Sequence, residues 1–430
     1  MTTDAPTVPP DVPLPAGYLL AELDDVADRD AMIEVDRWGF AFEFAPEDVP
    51  HLVWTLEPGR TVGVWREVAA GRRLVAVHSS FAFRVQVPGG AQVPAAGLTW
   101  VAVHPGERRR GLARAMLHAH LRRSIERGEV VSVLNAAESG IYGRYGYGIA
   151  SHRASATLGR GAALHPVPGS DDLVVEFATL DPAAHGDLIE ALHGAVVRPG
   201  WITRDTAALR ADHLVDWPSA RRGAEARRIA IVRDADGAPR AYGTFRRKGK
   251  WADEGHPDGA VRVHDTVALD ATAARALWGA LTDMDLMTSV EVGNLPPDDA
   301  ALGLLTDLRG TKLRVHDDVW LRILDLPAAL RARTYPAPVD AVLEVTDPLV
   351  ASNAGRWQLR AADTEVTVTR TDAPAQLAID VADLAAAYLG GTSLAALAAA
   401  GRATELVPGS LTALSTAFGW PVAPSTGWGF

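Results

Sequence analysis

Val101-Ala102-Val103-His104-Pro105-Gly106-Glu107-Arg108-Arg109-Arg110-Gly111-Leu112-Ala113 reads as the end of a strand, a turn and the start of a helix. The apolar run Leu98 to Val103 stops at His104-Pro105-Gly106, a strand followed by a turn. A helical pattern then opens, with Leu117, Leu121 and Ile125 four residues apart on one face and Gly128 as its stop. A second buried strand follows at Val130 to Leu134, and then the Gly- and Tyr-rich segment Ser139 to Gly148.

The first turn of a helix carries backbone N–H groups without partners at the positive end of its dipole, and together these bind phosphate. Gly111 removes a Cβ from that turn, Ala113 keeps the next one slim, and arginines add planar, permanently charged donors. The alternative is a surface helix with a solvated arginine face. The spacing Arg108-x-x-Gly111-x-Ala113 resembles the pyrophosphate loop of GNAT N-acetyltransferases, which bind acetyl-CoA. It is neither a Walker loop, which needs Gly-Lys-Ser/Thr, nor a three-glycine dinucleotide fingerprint.

A chain of 430 residues, 48% hydrophobic and 22% charged, has material for two to four globular domains. Lys plus Arg total 42 against 53 Asp plus Glu, a formal charge of −11. That balance argues against nucleic-acid or anionic-membrane binding and is compatible with a cationic substrate. The absence of cysteine excludes disulfides, thiolate catalysis and Cys-ligated metals, and the 13 histidines show no ligand spacing. No signal peptide and no membrane-spanning apolar run is visible, so the expected location is cytoplasmic.

Residues 1–16 read as a disordered tail. Met32, Trp38, Phe40, Phe42 and Phe44 suggest a helix and loop over an acceptor site, or aromatics closing a core. Strands at Thr61–Trp65 and Leu74–Gln86, with a turn at Ala70-Gly71, precede the one ending at Val103, and Ala154–Leu158 is expected as the last strand of this first domain, 17–160. Residues 161–311 look like a worn repeat of the first domain: Val267-Ala268-Leu269-Asp270 stands where Val101-Ala102-Val103-His104 does, followed by Ala-Thr-Ala-Ala-Arg with no glycine. Such a loop should not hold a pyrophosphate. The third region, 312–430, opens with Asp318-Val319-Trp320-Leu321-Arg322-Ile323-Leu324-Asp325-Leu326-Pro327 and continues with alternating strands and short helices to Phe430.

This order, with Glu138-Ser139-Gly140-Ile141-Tyr142-Gly143-Arg144-Tyr145-Gly146-Tyr147-Gly148, Ala387-Tyr388-Leu389-Gly390-Gly391 and a terminal Phe, resembles the enhanced intracellular survival (Eis) family. The resemblance covers nearly the whole chain from about residue 17. It implies an α/β (α+β mixed sheets) fold: tandem GNAT-like domains, the second degenerate, followed by a sterol-carrier-protein-like domain, assembled as a homohexamer. It further implies acetyl-CoA as acyl donor and amines, including aminoglycosides, as acceptors. Carried onto this sequence, Val101, Ala102 and Val103 would hold the pantetheine arm through backbone groups. Arg109, Arg110, Gly111, Leu112, Ala113 and Arg114 would wrap the pyrophosphate, and Ala137 and Glu138 would line the cofactor. Among Tyr142, Tyr145 and Tyr147, the family pattern selects Tyr142 as general acid. The α-carboxylate of Phe430 would be the base; an ordinary terminal carboxyl has a pKa of roughly 3.3 to 3.7, so burial, a bridging water or a depressed amine pKa is required. Taken without the family, Trp428 and Phe430 read as a sticky tail. Trp38, Glu43, Trp100 and Trp428 are the acceptor-side candidates. Two rival readings remain: protein lysines as acceptors, and a lipid or sterol carrier acting through the last domain, which needs a large apolar cavity there.

Overall fold

The computed structural model describes residues 12–24, 26–69, 71–362 and 365–430. Most of the expected tail, and Ala70 of the expected turn, lie outside them. Of the tail's described residues, Leu14 packs against a cluster containing Val64, Val75, Leu112 and Met116.

The first sheet begins with β1 (Tyr18–Glu22), β2 (Val62–Val68), β3 (Gly71–Gln86), β4 (Gln92–Val103) and β5 (Val131–Asn135), in that spatial order. Helix α1 (Arg29–Phe40) follows β1 and helix α2 (Leu112–Glu126) joins β4 to β5. Strand β3 holds an uninterrupted apolar stretch, Leu74 to Val77, because both faces are covered there. Val75 clusters with Leu112 and Met116 of α2, while Leu74 and Val77 cluster with Met32 and Val35 of α1. All pairings are antiparallel except β4–β5, whose parallel crossover is α2.

After β5 the chain does not finish this sheet alone. Strand β6 (Gly148–Ile149) is two residues long, and β7 (His152–Gly159), expected as the last strand of the first domain, lies in the second sheet. That sheet also holds β8 (Val174–Thr179), β9 (Arg228–Arg233), β10 (Pro239–Lys248), β11 (Gly259–Ala268), β12 (Met287–Leu295) and β13 (Arg314–Asp317), in the order β13-β7-β12-β11-β10-β9-β8. Helices α3 (Pro182–Gly194), α4 (Ala207–Leu214), α5 (Ala271–Thr282) and α6 (Ala300–Leu304) belong to this unit. The gap in the first sheet between β5 and β6 is filled by β14 (Val319–Ile323). The expected boundaries at 160 and 312 therefore both cut through a reciprocal exchange: β7 leaves the first unit for the second, and β14 is paired in the first sheet rather than opening the third domain. The reason is hydrogen bonding. β5 and β12 each need an antiparallel neighbour, and each takes it from the chain segment that leaves the other unit.

The two sheets match strand for strand, and β11–β12 is the second one's single parallel pair, joined by α5. The third domain holds α7 (Leu326–Ala332), β15 (Val339–Thr346), β16 (Gly355–Ala362), β17 (Glu365–Arg370), β18 (Leu377–Asp380), α8 (Val381–Tyr388), α9 (Leu394–Ala399), β19 (Ala403–Glu405) and α10 (Ser410–Phe418). Its core is continuous with that of the first sheet: Leu343, Leu359, Leu384 and Phe418 cluster with Val131, Val319 and Leu321. Helix α8 lies directly on β6, where a Cβ on Gly148 would stand 1.9 Å from the carbonyl oxygen of Ala382. Among the described residues no helix is long and apolar enough to cross a membrane.

Candidate active site

Strands β4 and β5 pair over only three positions, Ala95 with Val131 to Gly97 with Val133, and then part. Just beyond, β4 carries an extra residue relative to β3, and Trp100 there takes φ +56°. A bulge of this kind bends a strand and ends its pairing. The opening between the strands is a cleft of about 380 Å³, lined at its inner end by Val101, Ala102, Val103, Ala137 and Glu138. A crevice at the carboxyl ends of parted strands is the usual ligand position in α/β sheets.

The next element closes the outer end. His104 accepts a hydrogen bond from the Gly106 N–H at 3.2 Å and starts a single 3-10 turn, Pro105–Glu107. Arg109 (φ +64°) and Gly111 (φ +80°) then swing the chain into α2, with Gly111 at its N-terminal boundary and no side chain capping the helix. The leading N–H groups of α2 have no intrahelical acceptor, and Gly111, Leu112, Ala113 and Arg114 face the cleft. Glu107 holds the turn in shape. Its buried carboxylate accepts from the Tyr18 hydroxyl at 2.6 Å and pairs with Arg66, Arg73 and Arg110. Burial pushes this carboxyl up, but the Tyr18 hydrogen bond and the arginines leave it below its ordinary range.

Of the residues nominated from sequence, Val101, Ala102, Val103, Arg109, Gly111, Leu112, Ala113, Arg114, Ala137, Glu138 and Tyr142 line this one cleft. Arg110 does not; its Nε lies 3.2 Å from the Glu107 carboxylate. Phe40, one of the aromatics expected over the acceptor site, lines the cleft too, while sequence reasoning missed Gly39 at the end of α1, Ile141, and Arg144. A Cβ on Gly39 would come within 2.7 Å of the Ala102 Cβ, so glycine there lets α1 approach β4. Arg108, Arg109, Arg114 and Arg144 surround an uncapped helix end and a narrow apolar channel, which fits a group with a diphosphate head and a slender arm.

Tyr142 is 8% exposed and opens the 3-10 turn Gly143–Tyr145, its carbonyl accepting from the Tyr145 N–H at 2.9 Å. Its ring meets Tyr147 edge-on at 6.0 Å. Its hydroxyl has no hydrogen-bond partner among the described residues, and burial, with the nearby Glu138 charge, pushes its pKa up to about 12. Tyr147 is committed elsewhere: its hydroxyl lies 2.8 Å from Ser132 Oγ, which also contacts His120 Nε2 at 2.9 Å. Tyr145 lines the cleft and its ring meets His118 edge-on at 6.4 Å.

Phe430 does not line the cleft but meets the end of β5 that leads into it. Its ring packs edge-on against Phe83 at 4.8 Å and Phe81 at 6.2 Å, and its N–H donates to Asn135 Oδ1 at 3.5 Å. Asn135 ends β5, two residues before Ala137. The four acceptor-side candidates do not form one wall. Trp38 is exposed and meets His104 edge-on at 5.1 Å, while Glu43 is exposed and paired with Arg37. Trp100 packs against Trp54 at 5.6 Å, and Trp428 is buried against Phe83.

The equivalent place in the second unit is chemically different. Asp270 caps α5, accepting from the Ala273 N–H at 2.9 Å and pairing with Arg240. A carboxylate thus sits where an anion would have to bind. In the third domain a cavity of about 380 Å³ is lined by Arg331, Arg333, Thr334, Tyr335, Pro336 and Val366 among others, while Trp357, Leu359 and Leu397 are buried in the domain core. No cluster of His, Asp and Glu suited to a metal occurs among the described residues.

Family models described as acetyltransferase (GNAT) domain match residues 25–150 and 200–323, and one described as sterol carrier protein domain matches 326–427. An uncharacterised N-acetyltransferase of Streptomyces avermitilis is 42% identical over 377 residues, 87% of this chain and 90% of that protein. The N-acetyltransferase Eis of Mycobacterium tuberculosis is 34% identical over 382 residues, 87% of this chain and 91% of its own. The crystal structure of Eis1 from Mycobacterium abscessus superposes with a TM-score of 0.79 at 29% identity, covering 96% of this chain and 100% of that one. A buried tyrosine with a free hydroxyl, an uncapped helix end ringed by arginine and this likeness along almost the full length converge: the chain belongs to the Eis-like family of GNAT N-acetyltransferases.

Proposed function

We propose that the protein transfers an acetyl group from acetyl-CoA to a primary amine of a small polycationic acceptor of polyamine or aminoglycoside type. The reading rests on one observation: an uncapped helix N-terminus and an unpartnered tyrosine hydroxyl line the same cleft. When bound, acetyl-CoA supplies an activated acyl thioester. Arg109, Arg114 and the N–H groups of Gly111 to Arg114 hold its diphosphate, while Arg110 acts indirectly by bracing Glu107. The backbone of Val101, Ala102 and Val103, released from pairing with β5, grips the arm, and Ala137 and Glu138 form the opposite wall. Two proton positions are then required. With its pKa pushed up to about 12, Tyr142 stays a neutral phenol at working pH and donates to the departing sulfur. Transfer to a thiolate whose aqueous pKa is about 8.5 is uphill on solution values, but the same dry surroundings raise the thiol as well. The Phe430 carboxylate receives the proton of the attacking amine, directly or through water.

The acidic balance of the chain, −11, supports a cationic acceptor. A cytoplasmic homohexamer completes the proposal, and sedimentation tests that state. The chemistry is tested by acetyl-CoA turnover with a kanamycin-like aminoglycoside, a polyamine and a lysine peptide. Wild type, Tyr142→Phe and a form carrying one residue after Phe430 are compared. Both altered forms are expected to lose about 10²-fold or more in kcat while binding CoA normally; full activity of the extended form removes the terminal carboxylate from the mechanism. Preference for the peptide transfers the acceptor assignment to protein lysines.

A further inference from the structure

We propose that the cleft of the second GNAT-like unit is a socket for the chain's own C-terminal tail, and that this socket sets the position of Phe430 beside the first cleft. The proposal rests on the reading of Phe430 as the proton acceptor and adds what holds it there.

The two sheets open at matching places. In the first, β4–β5 pairing ends at Gly97 and Val133; in the second, β11–β12 pairing ends at Val263 and Val292. Beyond those points the first unit keeps about 380 Å³ and the second about 90 Å³. The smaller space is bounded by Asp265 and Val267 of β11 and by Asn294 of β12, and Ser425 and Gly427 of the tail form part of its wall. The tail thus stands at the mouth of the opening that in the first unit receives the donor, and Asp270 closes the helix end that would have drawn a phosphate.

The attachment is specific along its length. The Ala423 N–H donates to Asp298 Oδ2 at 2.8 Å, and Arg198 bridges Asp298 Oδ1 (2.7 Å) to the Ala423 carbonyl. The Ser425 N–H donates to the Pro199 carbonyl at 2.9 Å, and the Ile202 N–H donates to the Thr426 carbonyl at 3.2 Å. Gly427 takes φ +77°, and a Cβ there would stand 2.5 Å from the Trp201 ring, whose Nε1 is anchored to the His193 carbonyl at 3.0 Å. Only three residues remain after Gly427. Trp428 packs on Phe83 at 5.8 Å, and Phe430 reaches Asn135, whose side-chain amide donates to the Asp318 carbonyl at 3.0 Å. Asp318 therefore reaches the tail, through Asn135, at its last residue.

A chain end without regular structure frays unless it is tied down, and a reacting group gains from being held in place before its partner arrives. The second unit supplies that restraint. Arg198, Asp298 and Trp201 are positioning residues that act on Phe430 through the tail.

The test uses full-length wild type, Asp298→Ala at the surface and Gly427→Leu in the tail. Carboxypeptidase A release of Phe430 is followed alongside kcat and the KM for acetyl-CoA. Both variants are expected to release Phe430 at least tenfold faster, with kcat down about tenfold and KM for acetyl-CoA within about twofold. Unchanged release in both variants overturns the socket, whatever happens to activity. Faster release with unchanged kcat upholds the socket and removes the terminal carboxylate from the chemistry, so the two readings fail separately.

Discussion

Arg322 lies directly beneath Gly146: a Cβ on the glycine would stand 2.7 Å from the arginine Nε. Arg322 belongs to β14, is fully buried, and reaches both carboxylate oxygens of Asp347 at 2.7 Å. Asp347 also accepts the Leu349 and Val350 N–H groups and the Asn353 side-chain amide. A carboxylate of the third domain therefore supports, through one guanidinium, the turn that presents Tyr142. Gly146 also has φ +82°, so Gly146→Ala combines strain with a clash and is expected to cost about 2 kcal/mol or more. Thermal unfolding and turnover should fall together; an unchanged melting temperature would contradict the packing described.

Removing the other end of that support, Asp347→Ala, leaves a buried guanidinium without its carboxylate. Breaking a buried pair from one side costs about 3 to 5 kcal/mol. Urea unfolding measures this, and a loss under 1 kcal/mol is inconsistent with the burial of Arg322.

Arg109 and Arg110 are neighbours with opposite assignments. Arg109→Ala is expected to raise the KM for acetyl-CoA about tenfold, the loss of about 1.4 kcal/mol of phosphate binding. Arg110→Ala is expected to raise it less, because that side chain is turned to Glu107. Equal effects would place both on the diphosphate.

Calorimetric titration with CoA is expected to find one site per chain despite two GNAT-like units, since Asp270 occupies the second helix end. A stoichiometry of two would refute this.

Asp36 sits on the buried stripe of α1 beside Met32 and Val35, one carboxylate oxygen without a partner, and burial pushes its pKa up to about 7. The folded chain therefore binds a proton more tightly than the unfolded one, whose value is near 3.8. Stability from this group is full below the unfolded value, falls as pH rises toward about 7 and is level beyond. Asp36→Asn removes the penalty, by an upper limit of about 4 kcal/mol at pH 8. Its advantage over wild type should be about 2 kcal/mol larger at pH 8 than at pH 5 in urea melts; equal advantages would show Asp36 to be solvated.

Much of this was readable in the chain itself. The strand, turn and helix around Gly111 are announced by local punctuation, and the second unit's lack of a glycine at the matching turn is visible in the sequence as well. Partner choice was not readable. The apolar spacing of β7 and β14 specifies a strand with a buried face but not which sheet receives it, because that depends on contacts 130 residues and more away. Spacing likewise treated Arg109 and Arg110 alike, and only the fold shows that Glu107 captures one of them. Trp428 and Phe430 carried no local signal beyond apolarity, since their partners Phe83 and Asn135 lie on distant strands.

The crossing of β7 and β14 means that the two acetyltransferase-like units cannot be cut apart with scissors placed between them. A fragment ending near residue 160 would expose the open edge of β5 and carry β7 as an orphan strand. On the ribosome, the first sheet stays incomplete until Ile323 has left the tunnel, so catalytic competence arrives late in synthesis. Anyone seeking a minimal enzyme would have to splice β14 onto β6 rather than trim the chain.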